Sequence, residues 1–189
     1  MISGIDEIEK ELLALQEAKD NVMDLSREVV RQAGKAITFI HADDKRGAAK
    51  ALEDLRASAK KLQKIDKGFE YNSIQAHQEY VEACALSVMV NESRIPSMEE
   101  LDANCVSYLL GLLDSVGELK RYSTDRLRKN ERAKAEKCYD LMLEIYDSTV
   151  PMRFANSLVP EFRKKQDVAR TQIERLSSEL LLSRSDASL

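Results

Sequence analysis

Scarce backbone breakers, apolar residues at helical spacing and a heavy load of charge mark this sequence as an all-α, single-domain bundle. Only 6 Gly and 3 Pro occur in 189 residues, well under the roughly 12% of ordinary usage, so few turns are available. Charged residues make up 33% and apolar ones 43%, the balance of long helices with one wet and one dry face. Aromatics are only 5%, with no Trp. The core must therefore be built from aliphatic and Met side chains, as in helix bundles.

Ile5, Ile8, Leu12, Leu15, Val22, Leu25, Val29 and Ala33 recur at three- and four-residue steps, which predicts a first helix from about Ser3 to His41, with Ser3 as its cap. A break over 41–47 precedes a second helix from about Ala48 to Ile65 that turns Ala51, Leu55, Ala59 and Leu62 inward. Gly68 is suited to the left-handed turn that ends it. The third helix is expected over Glu70–Val90, with Ile74, Val81, Ala85 and Val88 on its core face. Ser97 and Glu100 form a Ser-x-x-Glu capping box, opening either a fourth helix or a turn followed by one, to about Asn130. A fifth helix covers Glu131–Thr149 and stops at Pro151, which cannot continue it. The last runs from about Glu161 to Leu182. This gives one domain over 1–182 and a mobile polar tail over 183–189.

Net charge is −4 with pI near 5.4, so no global positive field draws the monomer to nucleic acid. Cys84, Cys105 and Cys138 lie far apart in apolar helical contexts and read as reduced core thiols. No basic and apolar leader opens the chain and no apolar run spans a bilayer, so a cytoplasmic protein away from membranes is expected. His41 and His77 are the only histidines, too few for a zinc site, a Glu-x-x-His di-iron site or a hydrolase triad. A Gly-rich phosphate loop is also absent from the sequence.

What remains is carboxylate chemistry. Glu79 and Glu82 stand three residues apart where the chain is most apolar. A carboxylate there must be paired, protonated or metal-bound, because burying an isolated charge is very costly. Spacing alone fits a boundary Glu held by an Arg at least as well as a site. Asp114 and Glu118 form a second pair, between Gly111 and Gly117, whose cost to a helix suggests a close helix approach nearby. Glu136, Asp140, Glu144 and Asp147 make an acidic stripe that could be a plain solvated face. Two Glu from one helix and an Asp from another would supply hard oxygen ligands for Mg²⁺ or Mn²⁺.

Several segments resemble the translin family, in order along nearly the whole chain. Gln78-Glu79-Tyr80-Val81-Glu82-Ala83 is similar to the Gln-Glu-Tyr-Val-Glu-Ala of the Trax branch, and Tyr108-Leu109-Leu110-Gly111 through Gly117-Glu118-Leu119 to its Tyr-Leu-Leu-Gly…Gly-Glu-Leu. Leu25-Ser26-Arg27-Glu28 to Phe39-Ile40-His41 resembles the first-helix pattern, Ile145-Tyr146-Asp147 a Tyr-Asp-Gly-Phe position that here continues Ser148-Thr149, and Glu161-Phe162-Arg163-Lys164-Lys165 to Glu179-Leu180 the closing helix. The resemblance is to the archaeal-type, Trax-like proteins. It implies a bundle of six or seven helices assembling into a closed oligomeric shell, octameric in the family, in some cases with a translin-like second subunit. It also implies a metal-dependent endoribonuclease with Glu79, Glu82 and Asp147 as catalytic and metal-binding residues. Together with the carboxylate pattern this gives a Mg²⁺ or Mn²⁺ enzyme for single-stranded or loosely paired RNA, with Glu144 and Asp114 as second-tier ligands or orienters. Lys10, Lys19, Arg27, Arg31 and Lys35 are spaced to lie along one side of the first helix, either as an RNA track or as ordinary surface charges paired with Glu17, Asp20 and Asp24. The alternatives are a non-catalytic RNA- or DNA-binding scaffold of the translin kind and a helical adaptor. An all-α nucleoside-triphosphate pyrophosphohydrolase is a further one, because Glu79-x-x-Glu82 and Glu144-x-x-Asp147 mimic its motif.

Overall fold

The computed structural model describes residues 4–185. Among them the chain forms α1 (Ile5–His41), α2 (Lys45–Ile65), α3 (Glu70–Glu92), α4 (Cys105–Arg128), α5 (Arg132–Thr149) and α6 (Phe162–Ser185), with no strand. The proposed Ser3 cap lies outside the described residues. α2 starts at Lys45, three residues before its expected position, because the Asp44 carboxylate caps it and accepts the Gly47 N–H at 2.9 Å. Gly68 takes φ 86° in the turn that follows α2, the left-handed conformation that Gly adopts without strain. α6 continues to Ser185, past its expected end at Leu182, so the first residues of the supposed tail are helical. The rest of that tail lies outside the described residues.

The Ser97–Glu100 capping box forms in both directions, with the Ser97 N–H on Glu100 at 2.8 Å and the Glu100 N–H on Ser97 Oγ at 3.2 Å. It closes only a turn, because Asp102 is left-handed at φ 48° and the Tyr80 hydroxyl holds the buried Leu101 carbonyl at 3.0 Å. The long helix starts afresh at Cys105, where Asn104 accepts the Ser107 N–H at 2.9 Å. This returning segment makes α4 run parallel to α3. Gly111 of α4 lies against Gln78 and Val81, and about three turns further along both helices Tyr122 lines a cavity with Val90.

α3 is the central helix, packed against α1, α2, α4 and, lightly, α5. Its burial therefore wraps most of the way round, through Ala76, Tyr80, Val81, Ala83, Cys84, Ala85, Leu86 and Met89. The single core face expected for it is too narrow, and Ile74 and Val88 on that face are only half-buried. A Cβ on Gly111 would meet the Gln78 carbonyl oxygen and Val81 Cβ at 2.7 Å. This glycine sets the closest approach of α3 and α4. Gly117 has nothing near the place of its missing side chain, so the close approach read from both glycines holds at Gly111 alone.

The turn ends are tied by Arg126, a buried guanidinium that reaches Asp43 at 2.7 Å, beyond α1, and Glu131 at 2.9 Å, before α5. With Asp125 at 2.5 Å, three carboxylates around one buried cation hold the α1–α2 and α4–α5 turns together. Cys84 and Cys138 are buried as expected, whereas Cys105 is exposed because it stands at the first, solvent-facing turn of α4. None is in a disulfide. Among the described residues no helix is long and apolar enough to cross a membrane.

Candidate functional site

The close α3–α4 contact brings two pairs of carboxylates to one level. Glu79 and Glu82 follow Gln78 and Val81 on α3, and Asp114 and Glu118 lie one and two turns beyond Gly111 on the parallel α4. Burial pushes the Glu82 carboxyl up to about 8, reinforced by the charges of Glu79, Asp114 and Glu118. Burial also raises Glu79, with Asp114 the next cause. Each carboxylate thus makes it harder for its neighbours to ionise. Among the described residues neither Glu79 nor Glu82 has an ion-pair partner, so the reading of this pair as a Glu held by an Arg does not hold.

The α4 pair is better compensated. Asp114 is raised by burial, but the Lys165 ammonium from the first turn of α6 donates to it, at 2.6 Å from Oδ1 and closer still to Oδ2. Glu118 is held ionised by His41, whose Nε2 lies 2.5 Å from Glu118 Oε2. Arg121 adds a longer contact at 3.6 Å. His41, at the last turn of α1, therefore serves this site. His77, 2.7 Å from Asp66, with Ser73 on the same carboxylate, is a buried structural group.

The donor set suits a hard divalent cation, since all four groups offer oxygen and two have no cationic partner. As they stand, no three His, Cys, Asp or Glu side chains among the described residues are gathered tightly enough to hold an ion. The carboxylates of α3 and α4 act on one another electrostatically across this one helix contact.

Residues 17–179 match the Translin family. The chain belongs to the translin family. It is 29% identical over 167 residues to an uncharacterised protein of Methanocaldococcus jannaschii, an overlap of 86% of this chain and 75% of that one. Among solved structures it is similar to apo-NeC3PO, with a TM-score of 0.88, 29% identity and coverage of 97% of this chain and 98% of that one. It is also similar to AfC3PO in complex with duplex RNA, with a TM-score of 0.88, 28% identity and coverage of 96% and 97%. The all-α fold of the translin family is therefore the fold of this chain.

Within this translin-family fold the expected third catalytic residue is displaced. α5 packs on α4 and α6 and barely touches α3. Its buried face is Ala135, Cys138, Met142 and Ile145, which leaves Glu144 and Asp147 exposed to solvent. The structure does not bring Asp147 or Glu144 to the Glu79/Glu82 pair; it brings Asp114, and with it Glu118. The separation also removes the basis for a pyrophosphohydrolase, whose two acidic half-motifs must meet. Asp140 is likewise exposed, and Glu136 pairs with Arg132 at 2.8 Å, so the α5 stripe is a solvated face.

The α1 basic residues are exposed, but Arg27 is engaged by Asp24 and Arg31 by Glu28, each at 2.6 Å, and Lys35 lies over the Phe39 ring. Lys10 and Lys19 are on the part of α1 that leaves the bundle. A different basic surface adjoins the acidic site. His41, Gly117, Lys120, Arg121, Thr124, Asp125, Arg128 and Gln172 line a groove of about 500 Å³, in which Lys120 pairs with Glu179 at 2.8 Å. Sequence reasoning gave Lys165 and His41 no part in the site, because they come from α6 and α1, distant in sequence from both carboxylate pairs, and it did not single out the α4 cations beside Glu118. The signal available was Gly111, which marks the level at which α3 and α4 meet.

Proposed function

We propose that this chain is a Mg²⁺- or Mn²⁺-dependent endoribonuclease that hydrolyses phosphodiester bonds, with Glu79, Glu82 and Asp114 holding the ion. The observation that carries this reading is the facing set of part-buried carboxylates, two of them without a cationic partner and one raised to about 8. A divalent ion bound there would polarise the phosphorus and lower the pKa of the attacking water. Glu118, kept ionised and oriented by His41 through Oε2, leaves Oε1 to align that water and take its proton. Lys120, Arg121 and Arg128 of the neighbouring groove bind the phosphates on either side of the scissile bond, so affinity falls with salt. The similarity to AfC3PO, which was solved with duplex RNA, supports RNA as the polymer. Single-stranded or loosely paired RNA fits best, since the phosphate must approach carboxylates that are themselves recessed. Copies of the chain would assemble through the exposed apolar positions Ile5, Ile8, Leu12, Leu13 and Leu15 of α1, bringing several basic grooves together around one RNA.

The test is cleavage of an end-labelled, unpaired RNA with Mn²⁺, with chelator, and with Glu82→Gln. Cleavage that needs the ion and is lost in the variant is expected; equal products in all three would end the nuclease reading. A non-catalytic nucleic-acid-binding scaffold is the second reading, favoured by the lack of any three closed ligands among the described residues. It requires RNA retention at low salt with intact RNA recovered under every condition.

A further inference from the structure

Lys165 is poorly placed for its own helix. It sits in the first turn of α6, where its N–H bonds the Glu161 carbonyl at 3.0 Å. The positive end of a helix disfavours a cation there. Its neighbour Lys164 is exposed and pairs with Glu161, as a surface lysine would. Lys165 instead turns inward, 18% exposed, and both oxygens of Asp114 accept from its ammonium. The start of α6 fixes this direction. Phe162, three residues earlier, is buried against Phe154, and Asn156 accepts the Glu161 N–H at 2.9 Å.

The Lys165 charge also acts on Glu79 and Glu82, lowering both. One ammonium therefore faces the same three carboxylates that the proposed function assigns to a divalent ion. We infer that Lys165 is a resident counter-ion of the acidic site, which a divalent cation must displace from Asp114 in order to bind. Two cations at one cluster repel strongly in a partly buried setting. The flexible four-carbon stem of lysine lets the ammonium leave without moving α6. Lys165 thus sets how much free metal the site requires, and keeps Asp114 compensated until metal arrives. It is a positioning residue and takes no part in bond cleavage.

This inference rests on the metal-site reading above, and calorimetric titration of Mn²⁺ without RNA separates the two. Wild type, Lys165→Met, Lys165→Gln and Lys165→Arg are compared at pH 8, each with and without Glu82→Gln, so that the Glu82-dependent part of the binding identifies this site. Lys165→Met and Lys165→Gln are expected to bind Mn²⁺ about tenfold more tightly than wild type, and Lys165→Arg to stay within about threefold of it. Without metal the two neutral variants melt at a lower temperature than wild type, and Mn²⁺ raises their melting temperature by more. Unchanged or weaker Mn²⁺ binding in both neutral variants overturns the counter-ion role while leaving the metal site standing. Absence of any Glu82-dependent Mn²⁺ binding, in wild type and variants alike, overturns the metal site and this role together.

Discussion

A glutamate whose carboxyl titrates near 8 leaves a measurable signature. Burial, then the charges of Glu79, Asp114 and Glu118, raise Glu82 from an ordinary 4.5 to about 8. Between those two values the folded chain holds a proton that the unfolded chain has released, so stability falls as pH rises through this window and levels off above it. Glu82→Gln removes that dependence. In chelator, the variant should gain stability over wild type by an amount that grows from pH 5 to pH 8, at most about 1.4 kcal/mol per pH unit; denaturant melts at the two ends of that range measure it. A constant difference would mean that Glu82 is not a proton-holding group. Mn²⁺ works in the opposite sense, because it displaces the proton, so its affinity for wild type should rise with pH up to about 8. At this scale the sequence showed Glu79 and Glu82 as an anomaly, since charge in an apolar run needs a reason. It could not show that Asp114, and not Asp147, stands beside this pair. Both lie in apolar contexts, and only the packing of α5 away from α3 tells them apart.

The helices were largely legible, because period and breakers are local properties. α1, α3, α5 and α6 fall within a few residues of where their apolar spacing puts them. At the Ser97 capping box the sequence left open a helix or a turn followed by one, and a tertiary contact decides it, since the box is fully formed and caps a turn pinned by Tyr80. Gly111 is the contact on which the site depends. Gly111→Ala would press a methyl group against Gln78 and Val81, forcing α3 and α4 apart at a cost of about 1–3 kcal/mol. Because the four carboxylates hang from this contact, Mn²⁺ affinity should fall together with thermal stability. Gly117→Ala, with open space at its Cβ position, should instead stabilise the helix by up to about 1 kcal/mol and leave metal binding alone. Paired melting and Mn²⁺ titration of the two variants compares them, and equal effects would show that the α3–α4 approach does not organise the site.

The molecule as a whole is unfinished along α1. This helix of 37 residues is about 55 Å long at 1.5 Å per residue, yet its burial begins only at Val22. Ile5, Ile8, Leu12 and Leu15, which read as core positions in the sequence, are 49–60% exposed because the helix outruns the bundle and nothing among the described residues covers it. An apolar stripe of this kind marks an association surface. Leu12→Glu combined with Ile8→Glu should reduce the mass seen by native mass spectrometry and leave the melting of the bundle within about 1 kcal/mol of wild type. An unchanged mass would assign assembly to another face. The function proposed for the assembled protein turns on which acid completes the α3 pair. Cleavage of unpaired RNA in Mn²⁺ by Asp114→Asn and Asp147→Asn, side by side with wild type, decides that most directly. The structure predicts at least a hundredfold loss for Asp114→Asn and a rate within about twofold of wild type for Asp147→Asn; the reverse pattern would contradict the site described at the α3–α4 contact.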